Sequence, residues 1–362
     1  MEINYVSLCA SFAVAFVLAL AFTPLAIWLA PKIGAMDIPK DDRRVHTKSM
    51  PRFGGMAIFI GVMVSVIFFV VPEKNTTGIV IAGTLIYALG VVDDLKGLGP
   101  KVKFIGQGIC AIIVYLFDIR VAFIGNLIGD GNLIFGDVVS FIVTVIWIVG
   151  ISNSVNLIDG LDGLAAGISA IASLCIAFVA YNNGQYLVTY AMLAVAGGAL
   201  GFLPFNFHPA KIFMGDSGSL FLGFCLATFS LIGPTKGATV VAVAIPALVL
   251  GLPIFDTLFA MLRRTIRGQS IVTADKEHLH HRIMRAGFGQ RRSVMLMYCI
   301  SGIMGVVAVE FSRSLLVDAI GLLAVAIMLL YVLLSDTSTK KVEINAVNIA
   351  KEESKEKKKR HE

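Results

Sequence analysis

The sequence predicts an all-α polytopic membrane protein of about eleven transmembrane helices, with its N-terminus outside and its C-terminus in the cytoplasm. Three observations carry that fold class. Hydrophobic residues make up 57% of the chain and charged residues only 15%. The mean hydropathy of +0.84 is far from that of a soluble domain. The apolar residues fall in long runs separated by short polar connections, and Lys and Arg concentrate in alternate connections, as they do on the cytoplasmic side of a bilayer.

The first run, about residues 5–30, has no basic residue before it and no small-x-small cleavage pattern at its end, whereas Lys32, Lys40, Arg43 and Arg44 follow it. It reads as a retained helix with its start outside. Further runs lie near 54–72, 77–92, 104–118, 137–152, 164–181, 186–204, 218–233, 237–262, 294–311 and 314–335. With the N-terminus outside, the inner connections receive Lys32 to Arg52, Lys96 to Lys103, Lys211 and Arg263 to Arg292. The outer connections hold only Lys74, Arg120, Lys236 and Arg313. Orientation in the lipid bilayer therefore accounts for the net charge of +6, and no nucleic-acid partner is expected.

Between the fourth and fifth runs, residues 119–136 flank an Asp130-Gly131 turn signal with two β-prone stretches, which suggests a small outer β-hairpin; an irregular loop is the plain alternative. Residues 1–335 read as one integral-membrane domain, and 336–362 as a charged, disordered cytoplasmic tail near anionic lipid. The five cysteines lie inside apolar runs without a Cys-x-x-Cys pair, so they read as small core residues. No internal repeat supports an inverted-repeat transporter.

Polar clusters occupy every inner connection. Asn153, Asn156, Asp159 and Asp162 recur at a spacing of three residues, which on a helix turns four oxygen-bearing side chains towards one side. Asp93-Asp94 could simply end a helix, although adjacent like charges need a cation or a Lys/Arg neighbour. In Pro51-Arg52-Phe-Gly54-Gly55 the glycines permit backbone to approach a ligand, while the loop cations taken singly are explained by orientation. Gly215-Asp216-Ser-Gly could be an ordinary capped turn, or a metal carboxylate at the positive end of a helix. His278, His280 and His281 raise zinc, but Arg282 beside them and the many carboxylates favour a hard, oxygen-bound ion such as magnesium. One cytoplasm-facing site built from five loops is the economical inference.

Asp93-Asp94, Asn153-x-x-Asn156-x-x-Asp159-Gly-x-Asp162-Gly, Phe205-Asn206 through Gly215-Asp216-Ser217-Gly218-Ser219, Pro253-x-x-Asp256 and His278-x-His280-His281-Arg282 occur in an order that resembles the polyprenyl-phosphate N-acetylhexosamine-1-phosphate transferases. The resemblance covers residues 5–335. It implies magnesium-dependent transfer of a sugar 1-phosphate from a UDP-sugar to a membrane polyprenyl phosphate, releasing UMP, with manganese as an alternative ion. The His-Leu-His-His-Arg stretch is similar to the branch that uses UDP-N-acetylglucosamine and undecaprenyl phosphate, rather than the muramoyl-pentapeptide branch. That implies an enzyme of the bacterial cytoplasmic membrane at the first step of teichoic acid, O-antigen or related glycan synthesis. Another UDP-N-acetylhexosamine is the nearest alternative.

By the same resemblance Asn156 and Asp216 would bind the metal, Lys103 and Arg282 the diphosphate, and Asp162 and Asn206 the nucleotide. His278, His280 and His281 would shape the same loop, and Asp159 would lie near the metal. Asp93 or Asp94 would be the base or orienting group for the lipid phosphate, and a homodimer is compatible with the chain. Asn153 reads as structural. A secondary transporter, the alternative from another class, should place ionisable groups at mid-membrane; Asp256, after Pro246 and Pro253, is the one feature of that kind.

Overall fold

The structure, a computed structural model, describes residues 4–37, 49–125, 132–232, 247–249, 251 and 289–312. Its helices are α1 (Tyr5–Ile33), α2 (Gly55–Phe69), α3 (Lys74–Lys96), α4 (Pro100–Leu116), α5 (Asp137–Ile158), α6 (Leu164–Asn182), α7 (Tyr186–Asn206), α8 (Gly215–Phe229) and α9 (Gln290–Ser312). Each coincides with one of the apolar runs. Among the described residues six helices, α1, α3, α5, α6, α7 and α9, are long and apolar enough to cross a membrane, and the chain is a multi-pass membrane protein. The runs at 237–262, apart from 247–249 and 251, and at 314–335 lie outside the described residues, as does the 336–362 tail.

Local chemistry sets the helix ends. Asn4 caps α1 by accepting from the Val6 N–H at 3.0 Å, and Gly34 closes it in the left-handed region at φ 79°, where glycine carries no Cβ penalty. Pro100 opens α4 at a position where a missing N–H costs nothing. Helix α5 ends at Ile158, with Asp159 as its C-cap. The three-residue spacing therefore lies on a helix only for Asn153 and Asn156; Asp159 and Asp162 belong to the turn that leads to α6.

The packing is that of a membrane bundle, in which small residues bring backbones together. Helix α1 buries Ser11, Ala15, Ala19, Ala26 and Ala30 against α2 and α7. A Cβ on Gly61 of α2 would sit 2.6 Å from the Ala15 carbonyl oxygen. The hydroxyls of Ser11 and Ser65 lie 3.0 Å apart inside this seam, and Ser11 also donates to the Tyr190 carbonyl at 2.9 Å. Helix α8 is buried along its whole length, packed by α2, α3, α5, α6 and α7. Large apolar side chains such as Val17, Trp28, Ile105, Ile109 and Ile146 remain exposed on the peripheral helices, as a surface facing lipid requires.

Two short ladders join the helices. Strand β1 (Met36–Asp37) pairs antiparallel with β2 (Met50–Pro51), and β3 (Phe123–Gly125) with β4 (Asn132–Ile134). The latter pair lies between α4 and α5, with residues 126–131 outside the described ones. Past β2, Arg52 bridges Phe213 in parallel: Phe213 N–H donates to the Pro51 carbonyl at 2.8 Å, and Gly54 and Gly55 N–H donate to Phe213 and Met214 at 3.0 and 2.8 Å. This zipper fixes the entry to α2 against the entry to α8.

Candidate active site

The C-terminal ends of α3 and α5 and the N-terminal ends of α2, α4 and α8 meet at one end of the bundle. At their centre is Asp216, in the first turn of α8. Its Oδ1 accepts from Arg52 Nη2 at 2.9 Å and from Asn156 Nδ2 at 2.8 Å, and its Oδ2 from Lys103 Nζ at 2.5 Å. Lys103 also pairs with Asp93. Asn156 donates further to Ser219 Oγ at 2.9 Å. Asp93, Lys103, Asn156 and Asp216 are thus brought together from four helices, in the grouping that the sequence suggests.

The two adjacent aspartates have separate tasks. Asp94 Oδ1 accepts the Asp216 backbone N–H at 2.7 Å and Oδ2 that of Ser217 at 3.0 Å. A carboxylate from α3 therefore caps α8, satisfying N–H groups that the helix leaves without internal partners and complementing its positive end. The same side chain, fully buried, pairs with Arg52 Nε at 3.1 Å. Asp93 instead faces Lys103, and its Oδ1 accepts the Leu98 N–H at 2.6 Å beyond the end of α3.

Glycines make these approaches feasible. A Cβ on Gly215 would stand 2.6 Å from Asp94 Oδ2, and one on Gly90 would stand 2.6 Å from the Ser217 nitrogen. The Gly54-Gly55 pair, expected to admit a ligand, instead admits the chain itself: Cβ atoms there would meet the Phe213 carbonyl at 2.8 Å and the Gly218 Cα at 2.7 Å. Helix–helix contact is what these glycines serve in the structure.

Carboxylates outnumber cations in the cluster, where Asp93, Asp94 and Asp216 face Arg52 and Lys103. Burial opposes the Arg52 charge, but Asp216, Asp94, Asp159 and Asp93 outweigh it, and its pKa lies above the ordinary value. Burial raises the Asp159 carboxyl well above the ordinary carboxylate range; the Arg52 charge opposes this, while Asp216, Asp94 and Asp162 add to it.

Asp162 and Asn206 sit beside this cluster in a buried loop framework. Asp162 Oδ2 lies 2.8 Å from His208 Nδ1 and accepts the Ala210 N–H at 3.1 Å. Asn206 accepts the Gly163 N–H at 3.1 Å and donates to the Ile212 carbonyl at 3.0 Å. Tyr298 of α9 donates to the Gly163 carbonyl at 2.5 Å, and Arg291 to the His208 carbonyl at 3.0 Å. Asn153 pairs its amide with buried Gln107 of α4 and donates to the Val149 carbonyl at 2.8 Å, which is a packing role. His278, His280, His281, Arg282 and Asp256 lie outside the described residues. Sequence reasoning missed Arg52 as a site residue; its one signal was the Pro-Arg-x-Gly-Gly turn.

A bundle of apolar helices with carboxylates and cations interleaved at one end defines a membrane protein with a charged site at the end of its helices, and comparison with known proteins gives its class. Residues 76–234, from α3 to just past α8, match Glycosyl transferase family 4. Over 315 residues the chain is 42% identical to a probable undecaprenyl-phosphate N-acetylglucosaminyl 1-phosphate transferase of Bacillus subtilis, covering 87% of each. It is 39% identical over 304 residues to a decaprenyl-phosphate N-acetylglucosaminephosphotransferase of Mycolicibacterium smegmatis, covering 76% of this chain and 75% of the relative. An undecaprenyl-phosphate alpha-N-acetylglucosaminyl 1-phosphate transferase of Escherichia coli K12 is 26% identical over 82% of this chain and 83% of its own. The chain belongs to glycosyl transferase family 4 and is a phosphoglycosyl transferase.

Proposed function

We propose that the protein transfers N-acetylglucosamine 1-phosphate from UDP-N-acetylglucosamine to undecaprenyl phosphate, giving undecaprenyl-diphosphate-N-acetylglucosamine and UMP. The observation that carries this reading is Asp216, held at the start of α8 between Lys103 and Arg52, together with the activities that the relatives' names give. Transfer of a charged phosphoryl group needs positioning and neutralisation more than covalent chemistry from the protein, and a buried carboxylate flanked by two cations supports that role. The placement we infer is the bacterial cytoplasmic membrane, with the N-terminus outside and this end of the bundle facing the cytoplasm. The product would start a teichoic acid, O-antigen or related envelope glycan.

Magnesium is the proposed cofactor, with manganese as a substitute. Among the described residues no three His, Cys, Asp or Glu side chains gather as a metal cage; magnesium does not require one, since it takes one or two carboxylates and fills its shell with water and substrate phosphates. Asp216 would hold it, and Asn156 would join by turning its amide about so that the oxygen, not the N–H group, points inward. Bound there, the ion would neutralise diphosphate oxygens during transfer.

The chain's own residues divide the remaining work. Lys103, largely buried between Asp93 and Asp216, would hold the diphosphate, with Arg282 and the His278, His280, His281 loop contributing as the family resemblance implies. Asp93, the carboxylate beside Lys103, would orient the lipid phosphate, while Asp94 keeps α8 and Arg52 in place. Asp162 and Asn206 would form the framework of the nucleotide end. Release of UMP by purified protein given polyprenyl phosphate, UDP-N-acetylglucosamine and magnesium tests the reading; no release with any UDP-N-acetylhexosamine would sink it. Exchange of UMP into UDP-sugar without lipid acceptor would indicate a two-step route through an aspartyl phosphate instead of direct attack.

A further inference from the structure

We propose that Arg52 is a phosphate-binding residue of this site, its guanidinium held by Asp94 and Asp216 so that it grips a phosphate oxyanion of the substrates alongside Lys103. The proposal rests on the phosphoryl-transfer reading above. Arg52 is anchored at both ends. Its backbone N–H donates to the Ala35 carbonyl at 2.9 Å, and it bridges Phe213, three residues before Asp216. Its guanidinium is fixed through Nε to Asp94 at 3.1 Å and through Nη2 to Asp216 at 2.9 Å.

A guanidinium carries five N–H donors in a planar fork, and these two contacts need only two of them. A purely structural counter-ion would be expected to be buried with its carboxylates. Instead the Arg52 side chain is 34% exposed while that of Asp94 is 0% exposed, so the cation forms the rim and the carboxylate the floor. Lys103, 23% exposed, reaches the other oxygen of Asp216. Two cations therefore flank one carboxylate from opposite oxygens, and both remain partly open to solvent, where a phosphate oxyanion can meet them. Arginine binds phosphate with paired, directional bonds that lysine does not reproduce, and two fixed carboxylates hold the fork before the substrate arrives.

The phosphate could belong to the soluble nucleotide or to the lipid. Binding of UDP, and separately of farnesyl phosphate in detergent, is measured by calorimetry with magnesium for wild type, Arg52→Gln and Arg52→Lys, together with thermal unfolding. The expected result is that Arg52→Gln weakens one probe by about ten- to a hundredfold, the range of one charge-assisted hydrogen bond, with Arg52→Lys in between. Weakened UDP supports the proposal and places the contact on the donor diphosphate; weakened farnesyl phosphate supports it and places the contact on the acceptor. Wild-type affinity for both probes in the variants, with only the unfolding temperature moved, overturns it. Should Arg52→Gln not fold, Arg52→Lys decides on the same criteria. A wild-type protein that binds neither probe overturns the transferase reading as well, which separates the two failures.

Discussion

Asp216 has both carboxylate oxygens engaged by cations or an amide from other segments, and its neighbour Asp94 has both engaged by backbone N–H groups. Removing charge at these positions should have unlike effects. Asp216→Asn keeps the shape and the place in α8 but offers a cation one neutral oxygen; turnover should fall by ~100-fold or more, and the unfolding temperature should drop as Arg52 and Lys103 lose a charged partner, while the protein still inserts and folds. Activity at the wild-type level would take Asp216 out of the chemistry. Asp159 behaves differently. Its folded-state pKa is raised by burial, so the folded protein binds this proton more tightly than the unfolded chain and stability falls as pH rises above the ordinary carboxylate range. Asp159→Asn should remove that fall: thermal unfolding of the ligand-free protein in detergent should show a gain over wild type that grows from pH 4 towards pH 7. A gain that is constant with pH would contradict the assignment. The carboxylates were legible in the sequence because charged side chains beside apolar runs need a reason, whereas Lys103 entered only through the family resemblance. Arg52 was not, because a single arginine in a loop is already accounted for by membrane orientation, and only the fold shows that it reaches two buried carboxylates.

At the scale of elements, the site depends on how closely α3 and α2 approach the start of α8. Gly90 lies in the middle of this contact, with room for no side chain beyond hydrogen. Gly90→Ala should push α3 away from Ser217, costing about 1–3 kcal/mol as overpacking does and lowering activity along with the unfolding temperature; an alanine variant with native stability would mean that the helices are less tightly joined. The apolar runs located the helices well, since length and hydropathy decide membrane insertion. Periodicity misled at one place. The Asn-x-x-Asn-x-x-Asp pattern looks helical throughout, yet α5 stops at Ile158 and Gly163 enters the left-handed region at φ 80°, so the later aspartates point from a turn. Gly160 and Gly163 were the visible signals that the helix ends there. The partnership of Asn153 with Gln107 could not be read, because it depends on the register between α4 and α5.

For the whole molecule, the described elements carry the buried, interleaved charge at one end, around Asp216, while the other end holds only the exposed pairs Lys74–Asp118 and Arg120–Asp137. The opposite end, where α6 turns into α7, holds exposed Asn183 and Gly184. If the charged end faces the cytoplasm, a cysteine introduced at Asn183 in a cysteine-free background should react with a membrane-impermeant maleimide on intact cells, and one at exposed Lys101 only after permeabilisation. The reverse pattern would invert the proposed orientation. The sequence distribution of Lys and Arg carries this expectation, whereas the order in which helices neighbour one another was not legible: α1 against α7, and α8 at the centre, follow from matching small residues such as Ala15, Gly61, Gly197 and Gly201, whose pairing only a three-dimensional arrangement reveals.

The cap that Asp94 places on α8 links residues 122 positions apart, and this separation bears on biogenesis. During synthesis α3 enters the bilayer with its terminal carboxylates long before the segment containing Asp216 has been made. Until α8 arrives, those carboxylates have only nearby cations such as Lys103 to answer them, and Asp216 has no prepared seat. Catalytic competence is therefore a late event in the life of the chain, no earlier than the docking of α8, the most buried of the described helices. A nascent product halted before Phe229 would occupy the membrane without carrying out any transfer.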